Sequence, residues 1–244
     1  MFKNTAENRK GTKKARTEAI VEREYRQLAR LVRVIDVLYA LVIWRSVVLL
    51  PHPTVEEVES AGSLWRAFLP YGNNFALVAV GIALVVIYWG QNNRLFGNLQ
   101  RTDGYHASTA VMQVAFVLLF GYFVRIGLEV GDMPQVLAAQ SLALVAAGAM
   151  AILGWRHAVR DGHLVSPVLG RNEARELSIT NFVEPTVAVL TIPLAWVGPT
   201  PYTLAFVLGM PAVGWCYKAF AASLPVLADA LPEDRAADDG RSGK

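Results

Sequence analysis

The sequence has very little cysteine and few charges for its length. Its 244 residues include one cysteine, Cys216, which excludes a disulfide within the chain and a cysteine-rich metal centre. Charged residues make up 18% of the chain, whereas soluble domains carry about 25%. Because 54% of the residues are hydrophobic, the composition excludes an ordinary soluble domain and indicates a membrane protein.

The sequence also lacks the short motifs of common enzymes and of common potassium channels. It contains no Walker loop, no dinucleotide fingerprint, no His-Glu-x-x-His, no Gly-x-Ser-x-Gly and no Thr-Val-Gly-Tyr-Gly filter. His157 and His163 are close in sequence, but they lie in a cationic loop that is a poor metal site. We therefore expect no enzyme activity, no resident metal and no cofactor.

Three long stretches without a formal charge predict membrane-spanning helices. They cover residues 67–93, 104–124 and 133–155. A helix needs about 20 residues to cross the hydrocarbon core of a bilayer, and only a helix satisfies its own backbone polar groups there. The predicted spans are roughly 73–91, 107–127 and 135–155.

A fourth charge-free stretch, residues 185–217, is too long for one span. The run Gly198-Pro199-Thr200-Pro201 within it predicts a tight reversal, and therefore a helical hairpin of roughly 178–197 and 202–223. The remaining apolar run, residues 31–50, ends just before a proline. Together these stretches predict an all-α, polytopic membrane protein with six transmembrane helices.

The distribution of cations predicts how the helices are oriented. The first 33 residues carry ten Lys or Arg against four Glu, so the positive-inside rule makes both termini cytoplasmic in a six-span protein. We divide the chain into a basic cytoplasmic arm, a six-helix transmembrane domain and a disordered cytoplasmic tail: 1–29, 30–225 and 226–244. Anionic lipid headgroups explain the basic arm, so we expect the lipid bilayer and no nucleic acid as its partner.

Asp36 and Glu184 are ionisable residues inside predicted spans. Even lenient scales assign about 2.5–3.5 kcal/mol to a charge at mid-helix, so such groups face protein or water. The first interpretation is ion pairing that joins helices, and the alternative is a vestibule that attracts cations. The candidate partners are three arginines for Asp36 and one lysine for Glu184: Arg30, Arg33, Arg94 and Lys218.

Two segments carry a resemblance to a known family. The run from Arg30 to Asp36 keeps the arginine and the aspartate of a first-span pattern, and residues 88–96 read Tyr-Trp-Gly-Gln-Asn-Asn-Arg-Leu-Phe, followed by Asp103. Both resemble the transmembrane protein 175 family of potassium-permeable channels of prokaryotes and lysosomes. Asn92 and Asn93 stand where that family has two histidines.

The resemblance implies a homotetramer in the cell membrane of a prokaryote, with potassium as the permeant ion. The first span of each subunit would line a central pore with rings of apolar side chains: Val37, Leu41, Trp44 and Val48. Independently, these four residues fall within about 60° on one helical face. The resemblance also implies a structural polar cluster at the cytoplasmic end of the first two spans: Arg30, Asp36, Trp89 and Asn93.

Several positions depart from the family pattern. Trp44 stands where the family has threonine, Arg45 where it has leucine, and Gly121-Tyr122 where Pro-Phe is expected. Four indoles around a narrow axis would close it. A potassium-permeable channel of low conductance is therefore weighed against a non-conducting scaffold or regulatory protein of the same fold. A third alternative is an intramembrane enzyme or proton-coupled transporter that uses Asp36 and Glu184.

Overall fold

The structure is a computed structural model that describes residues 2–48, 50, 52–131, 133–162 and 164–219. These residues form eight α-helices and one 3₁₀ turn, with no strand among them. The tail that the sequence predicts to be disordered, 226–244, lies outside the described residues, as does the end of the sixth predicted span.

Six of the helices are long, and two short helices and the 3₁₀ turn lie between the first two of them. In chain order the helices are α1 (Phe2–Val48), α2 (Val55–Ala61), α3 (Leu64–Phe68), α4 (Gly72–Gly97), α5 (Gly104–Val130), α6 (Pro134–Asp161), α7 (Arg171–Leu194) and α8 (Pro199–Ala219), with the 3₁₀ turn at Leu69–Tyr71. Each of the six predicted spans falls on one of the long helices.

Four helices are long and apolar enough to cross a membrane in the described part of the chain. These segments are Asn74–Gly97, Gly104–Val130, Pro134–Arg160 and Asn172–Leu194, on α4 to α7. The chain is therefore a multi-pass membrane protein. The crossing of α1 and α8, and with it the count of six spans and the orientation of the termini, stays a prediction.

The segment between α1 and α4 is fixed by a capped short helix. The Thr54 hydroxyl accepts a hydrogen bond from the Glu57 amide, and the Glu57 carboxylate accepts one from the Thr54 amide, which is a capping box. The Tyr71 hydroxyl donates to the same carboxylate at 2.9 Å. Two hydrogen bonds lower the pKa of Glu57: the larger effect comes from the Thr54 amide and the smaller from the Tyr71 hydroxyl.

The predicted reversal between the last two helices is confirmed. α7 ends at Leu194, and Gly198 has a φ of +142°, which a side chain would disfavour. α8 begins at Pro199, slightly earlier than expected, because a proline in the first helical turn forfeits no intrahelical hydrogen bond.

α6 packs between α5 and α7. Two glycines on α6 permit this close approach, as small residues do in membrane helix pairs. A Cβ atom at Gly148 would lie 2.7 Å from the Pro185 ring on α7, and one at Gly154 would lie 2.7 Å from the Thr109 hydroxyl on α5. α1 packs on the outside of this group, against α4 and α5.

Candidate pore helix and embedded polar site

α1 has one buried face and one exposed face. The buried side chains recur at helical spacing and pack against α4 and α5: Leu28, Leu31, Ile35, Tyr39 and Val42. Since α1 contacts the rest of the chain along this face, the opposite face points away from the other helices.

The four residues predicted to line a pore lie on that opposite face. Their exposed fractions are 59% for Val37, 55% for Leu41, 68% for Trp44 and 57% for Val48. They form an outward apolar stripe that the chain itself leaves largely uncovered. The stripe is therefore available to lipid or to other copies of the chain.

Of the predicted polar cluster, the structure brings Asp36 and Trp89 together. The Trp89 indole Nε1 donates a hydrogen bond to Asp36 Oδ1 at 2.9 Å, which joins α1 to α4. Among the described residues, neither Arg30 nor Asn93 hydrogen-bonds to Asp36, and both side chains are exposed. Arg30 precedes Asp36 by six residues, about 120° around the helix, so the two side chains point in different directions.

The predicted ion pairs at the two intramembrane carboxylates are not formed between described residues. Asp36 is bonded by an indole rather than by Arg30, Arg33 or Arg94. Glu184 accepts a hydrogen bond from the Gln91 side-chain amide, whereas Lys218 lies exposed in the last turn of α8. The ion-pair interpretation was wrong because it used proximity along the helices without the direction of each side chain.

A second hydrogen bond between α1 and α4 was not predicted from the sequence. The Asn92 amide Nδ2 donates to the Tyr39 hydroxyl at 2.8 Å, and both side chains are buried. One turn earlier on α4, the buried Tyr88 hydroxyl donates to the Leu144 carbonyl on α6 at 3.1 Å. The signal was present in the sequence, because Asn92 replaces a family histidine inside the apolar end of a span.

Glu184 lies within a buried polar site between α4 and α7, which we call the embedded polar site and define as Gln91, Asn181 and Glu184. Glu184 is 5% exposed. Its Oε2 atom and the Asn181 Nδ2 atom have no hydrogen-bond partner among the described residues. Buried polar atoms without partners are rare in proteins, so these two atoms mark a position that can bind a ligand, a proton or a water molecule.

A polar cavity of about 440 Å³ lies next to the embedded polar site, between the ends of α4 and α7. The lining residues are mostly polar or charged: Asn93, Arg94, Gly97, Asn98, Glu173, Glu176, Leu177 and Thr180. Asn93, expected in the cluster around Asp36, therefore lies instead on the wall of this cavity.

Asp103, the last residue of the family-like region, ties α5 to α6. Its carboxylate accepts a hydrogen bond from the His106 amide at 2.8 Å as the N-cap of α5 and contacts His157 Nε2 at 2.7 Å. Partial burial acts to raise the pKa of Asp103, but these two contacts outweigh it and hold the pKa below the ordinary value. His157 is thus a helix-joining residue, and His163 lies outside the described residues.

At the opposite end of the helices, two arginines line a cavity of about 170 Å³ between α1 and α5. Arg125 forms an ion pair with Glu129 at 2.6 Å. Arg45 is exposed and lies about 80° from Val37 around α1, beside the apolar stripe rather than on it. Its charge is therefore near the stripe without interrupting it.

Comparison with solved structures identifies the same architecture in another protein. It is a crystal structure described as a lysosomal potassium-selective channel TMEM175 homologue from Chamaesiphon minutus, with a TM-score of 0.62 and 17% sequence identity. The match covers 75% of this chain and 95% of that chain. Neither a protein-family model nor a curated protein sequence matches this chain. The resemblance carried by residues 30–36 and 88–96 is thus confirmed in the fold, and the chain has the fold of that TMEM175 homologue.

Proposed function

We propose that this protein is a potassium-permeable cation channel of the cell membrane, formed by four copies of the chain around a central axis. The first helix of each copy would line the pore with Val37, Leu41, Trp44 and Val48. Six helices would cross the membrane, and both termini would be cytoplasmic. The outward apolar stripe of α1, in a chain with the fold of a TMEM175 homologue, carries this proposal.

The exposed position of the stripe supports convergence on an axis. A hydrophobic constriction passes or stops ions according to its hydration, so a stripe of this kind can gate without a carbonyl filter. Closed symmetric assemblies are the common form of homo-oligomers, and they bring one face of each subunit together at the axis. Trp44 is the largest of the four side chains, so we expect it to form the narrowest ring.

The conduction test is potassium flux into liposomes that contain the purified protein, with sodium flux measured alongside. The wild type should leak little, because four indoles offer a potassium ion no ligand in place of its water. Trp44→Thr shortens the side chain and adds a hydroxyl, so the flux should rise well above wild type. Trp215→Thr on α8, where the indole is 71% exposed, is the matched control and should leave flux at the wild-type level.

A substitution at Arg45 tests whether the pore is closed by the bulk of Trp44 or by repulsion of cations. Arg45→Leu removes a cation beside the stripe and should raise flux less than Trp44→Thr, unless the charge repels ions at close range. If neither single change nor the double change gives cation flux while the oligomer stays intact, the assignment of the pore to α1 is wrong.

A non-conducting scaffold or regulatory protein of the same fold is the second candidate, and Trp44 favours it. An indole that is 68% exposed on each subunit could pack against its copies and seal the axis. Such a protein would assemble normally and show no cation flux into liposomes, either as wild type or as the Trp44→Thr variant.

A further inference from the structure

The conduction proposal leaves Glu184 without a role, although it is the most deeply buried carboxyl group described in a membrane-spanning helix. It lies within the span Asn172–Leu194 and is 5% exposed. One carboxyl oxygen, Oε1, is hydrogen-bonded by Gln91, and the other, Oε2, has no partner among the described residues. No ion pair between described residues includes it. Its immediate environment therefore supplies one neutral amide.

That environment does not suit an ionised carboxylate. A buried charge is tolerated where a cation or several hydrogen-bond donors compensate for the lost water, and apart from its own backbone N–H Glu184 has a single donor. A neutral carboxylic acid is far less costly to bury. The Gln91 N–H then donates to the acid carbonyl oxygen, Oε1.

Among the described residues, no cation forms an ion pair with Glu184. On α4, Arg94 lies one turn from Gln91, but its side chain is exposed on the wall of the polar cavity. On the same helix the Tyr88 hydroxyl lies within electrostatic range of Glu184, and Tyr39 on α1 lies within electrostatic range of Tyr88. On α6, Gly148 packs against Pro185, the residue that follows Glu184. The titratable groups that these helices bring within range of Glu184 itself are therefore tyrosines, which are neutral near pH 7.

The polar cavity ends one helical turn from the Gln91 and Glu184 pair. Thr180 on the cavity wall precedes Glu184 by four residues, and Arg94 on the facing wall follows Gln91 by three. Residues at these spacings are neighbours on one helical face, about 5–6 Å apart. One turn further into the bundle, α4 thus carries Gln91 and α7 carries Glu184, and these two side chains are hydrogen-bonded to each other.

We propose that Glu184 is a proton-binding site in the membrane interior and exchanges its proton with water in the α4–α7 cavity. Oε2 carries the proton, and Glu173 and Glu176 at the cavity wall are acceptors on the way to solvent. On release, the proton passes to water in the cavity and leaves Glu184 as a carboxylate, which draws water or a cation towards it. All of these groups belong to one chain, so the site needs neither conduction nor a tetramer.

The test is infrared spectroscopy of the reconstituted full-length protein near neutral pH. A protonated carboxyl group has a C=O stretching band that is separate from the amide and carboxylate bands. We expect such a band in the wild type, its loss in Glu184→Gln, and its retention in the control Glu129→Gln, which changes an exposed carboxyl group on α5 that is paired with Arg125 and lies outside the cavity. Transfer into D₂O should shift the band, because the proton exchanges through the cavity.

Two outcomes would overturn the proposal. A wild-type spectrum without the band means that Glu184 is ionised, and a band that does not shift in D₂O means that the proton is sealed from the cavity. If Glu184→Gln folds poorly, the wild type is instead treated with dicyclohexylcarbodiimide, which reacts with protonated carboxyl groups in apolar surroundings. Mass spectrometry should then find an adduct at Glu184 that declines as the pH rises, and absence of the adduct at every pH contradicts the assignment.

The route is tested with a pair of isosteric substitutions on α7. Thr180→Val removes the hydroxyl between the cavity and Glu184 and should slow the D₂O shift severalfold. Thr186→Val is the control, because its hydroxyl bonds Tyr217 on α8 at 2.8 Å and does not line the cavity. Equal exchange rates in both variants would exclude this cavity as the path of the proton.

Discussion

The hydrogen bond from Trp89 to Asp36 is one of two side-chain hydrogen bonds between described residues that join the proposed pore helix to α4. Both side chains are partly exposed, and the contact is a hydrogen bond from a neutral indole rather than an ion pair. A neutral indole donor makes this contact weaker than a buried ion pair, in which loss of one partner costs about 3–5 kcal/mol. We therefore expect Asp36 to position α1 against α4.

Asp36→Ala should destabilise the packing of α1 on α4 by about 1–3 kcal/mol, because it leaves the Trp89 N–H without an acceptor. Asp36→Asn keeps an acceptor oxygen and is the matched control, which should lie close to wild type. The measurement is the thermal unfolding midpoint of the purified protein in detergent, together with its oligomeric state. Identical midpoints for the alanine variant and wild type would show that this hydrogen bond does not hold α1 in place.

At the scale of the helices, α6 holds the packing together, because α5 and α7 both pack against it. It packs against both α5 and α7, and its glycines let the neighbouring helices approach closely. In lipid, where apolar contact with a neighbour replaces apolar contact with acyl chains, close packing supplies much of the association energy. A small change of side-chain volume on α6 should therefore have a large effect.

Gly148→Ala should destabilise the protein by about 1–3 kcal/mol, since its new methyl group would overlap the Pro185 ring at the α6–α7 contact. Gly121→Ala on α5 is the control, because a Cβ atom there meets nothing within 4 Å and alanine favours a helix by up to about 1 kcal/mol. Thermal unfolding in detergent compares the two. A Gly148→Ala protein as stable as Gly121→Ala would mean that the α6–α7 contact is loose enough to adjust.

For the whole molecule, the charge-free stretches predicted the long helices, and the glycine and prolines at residues 198–201 predicted the reversal between the last two. Charge-free stretches of about 20 residues depend on local composition alone, which a sequence displays directly. The partners of Asp36 and Glu184 depend on the rotation of each helix against its neighbours, which hydropathy does not specify. Hence Gln91 bonds Glu184 in place of the expected cation, and Trp89 is the one predicted neighbour that bonds Asp36 among the described residues. Glu184 was singled out from the sequence, but the contribution of Gln91 and Asn181 to the embedded polar site was not predicted.

The assembly is a property of the whole molecule, and native mass determination in mild detergent tests it. We expect a tetramer, because the described part of the chain leaves the outward stripe of α1 exposed and a closed ring would cover it. Val37→Asp places a charge on the stripe and should reduce the tetramer fraction, while Leu208→Asp on the exposed face of α8 should change it less. A strict monomer for the wild type would remove the channel proposal, since the stripe would then have no axis to surround.

The length of α1 has a mechanical consequence. A helix from Phe2 to Val48 is about 70 Å long, more than twice the roughly 30 Å of a bilayer core. From residue 12 to residue 48 it contains no proline or glycine, the residues at which helices usually kink. Residues 12–23 thus form an arm of about 18 Å on the same unbroken helix as Trp44. A torque applied to that arm by a membrane surface or a binding protein would turn the indole directly, without a hinge to absorb it.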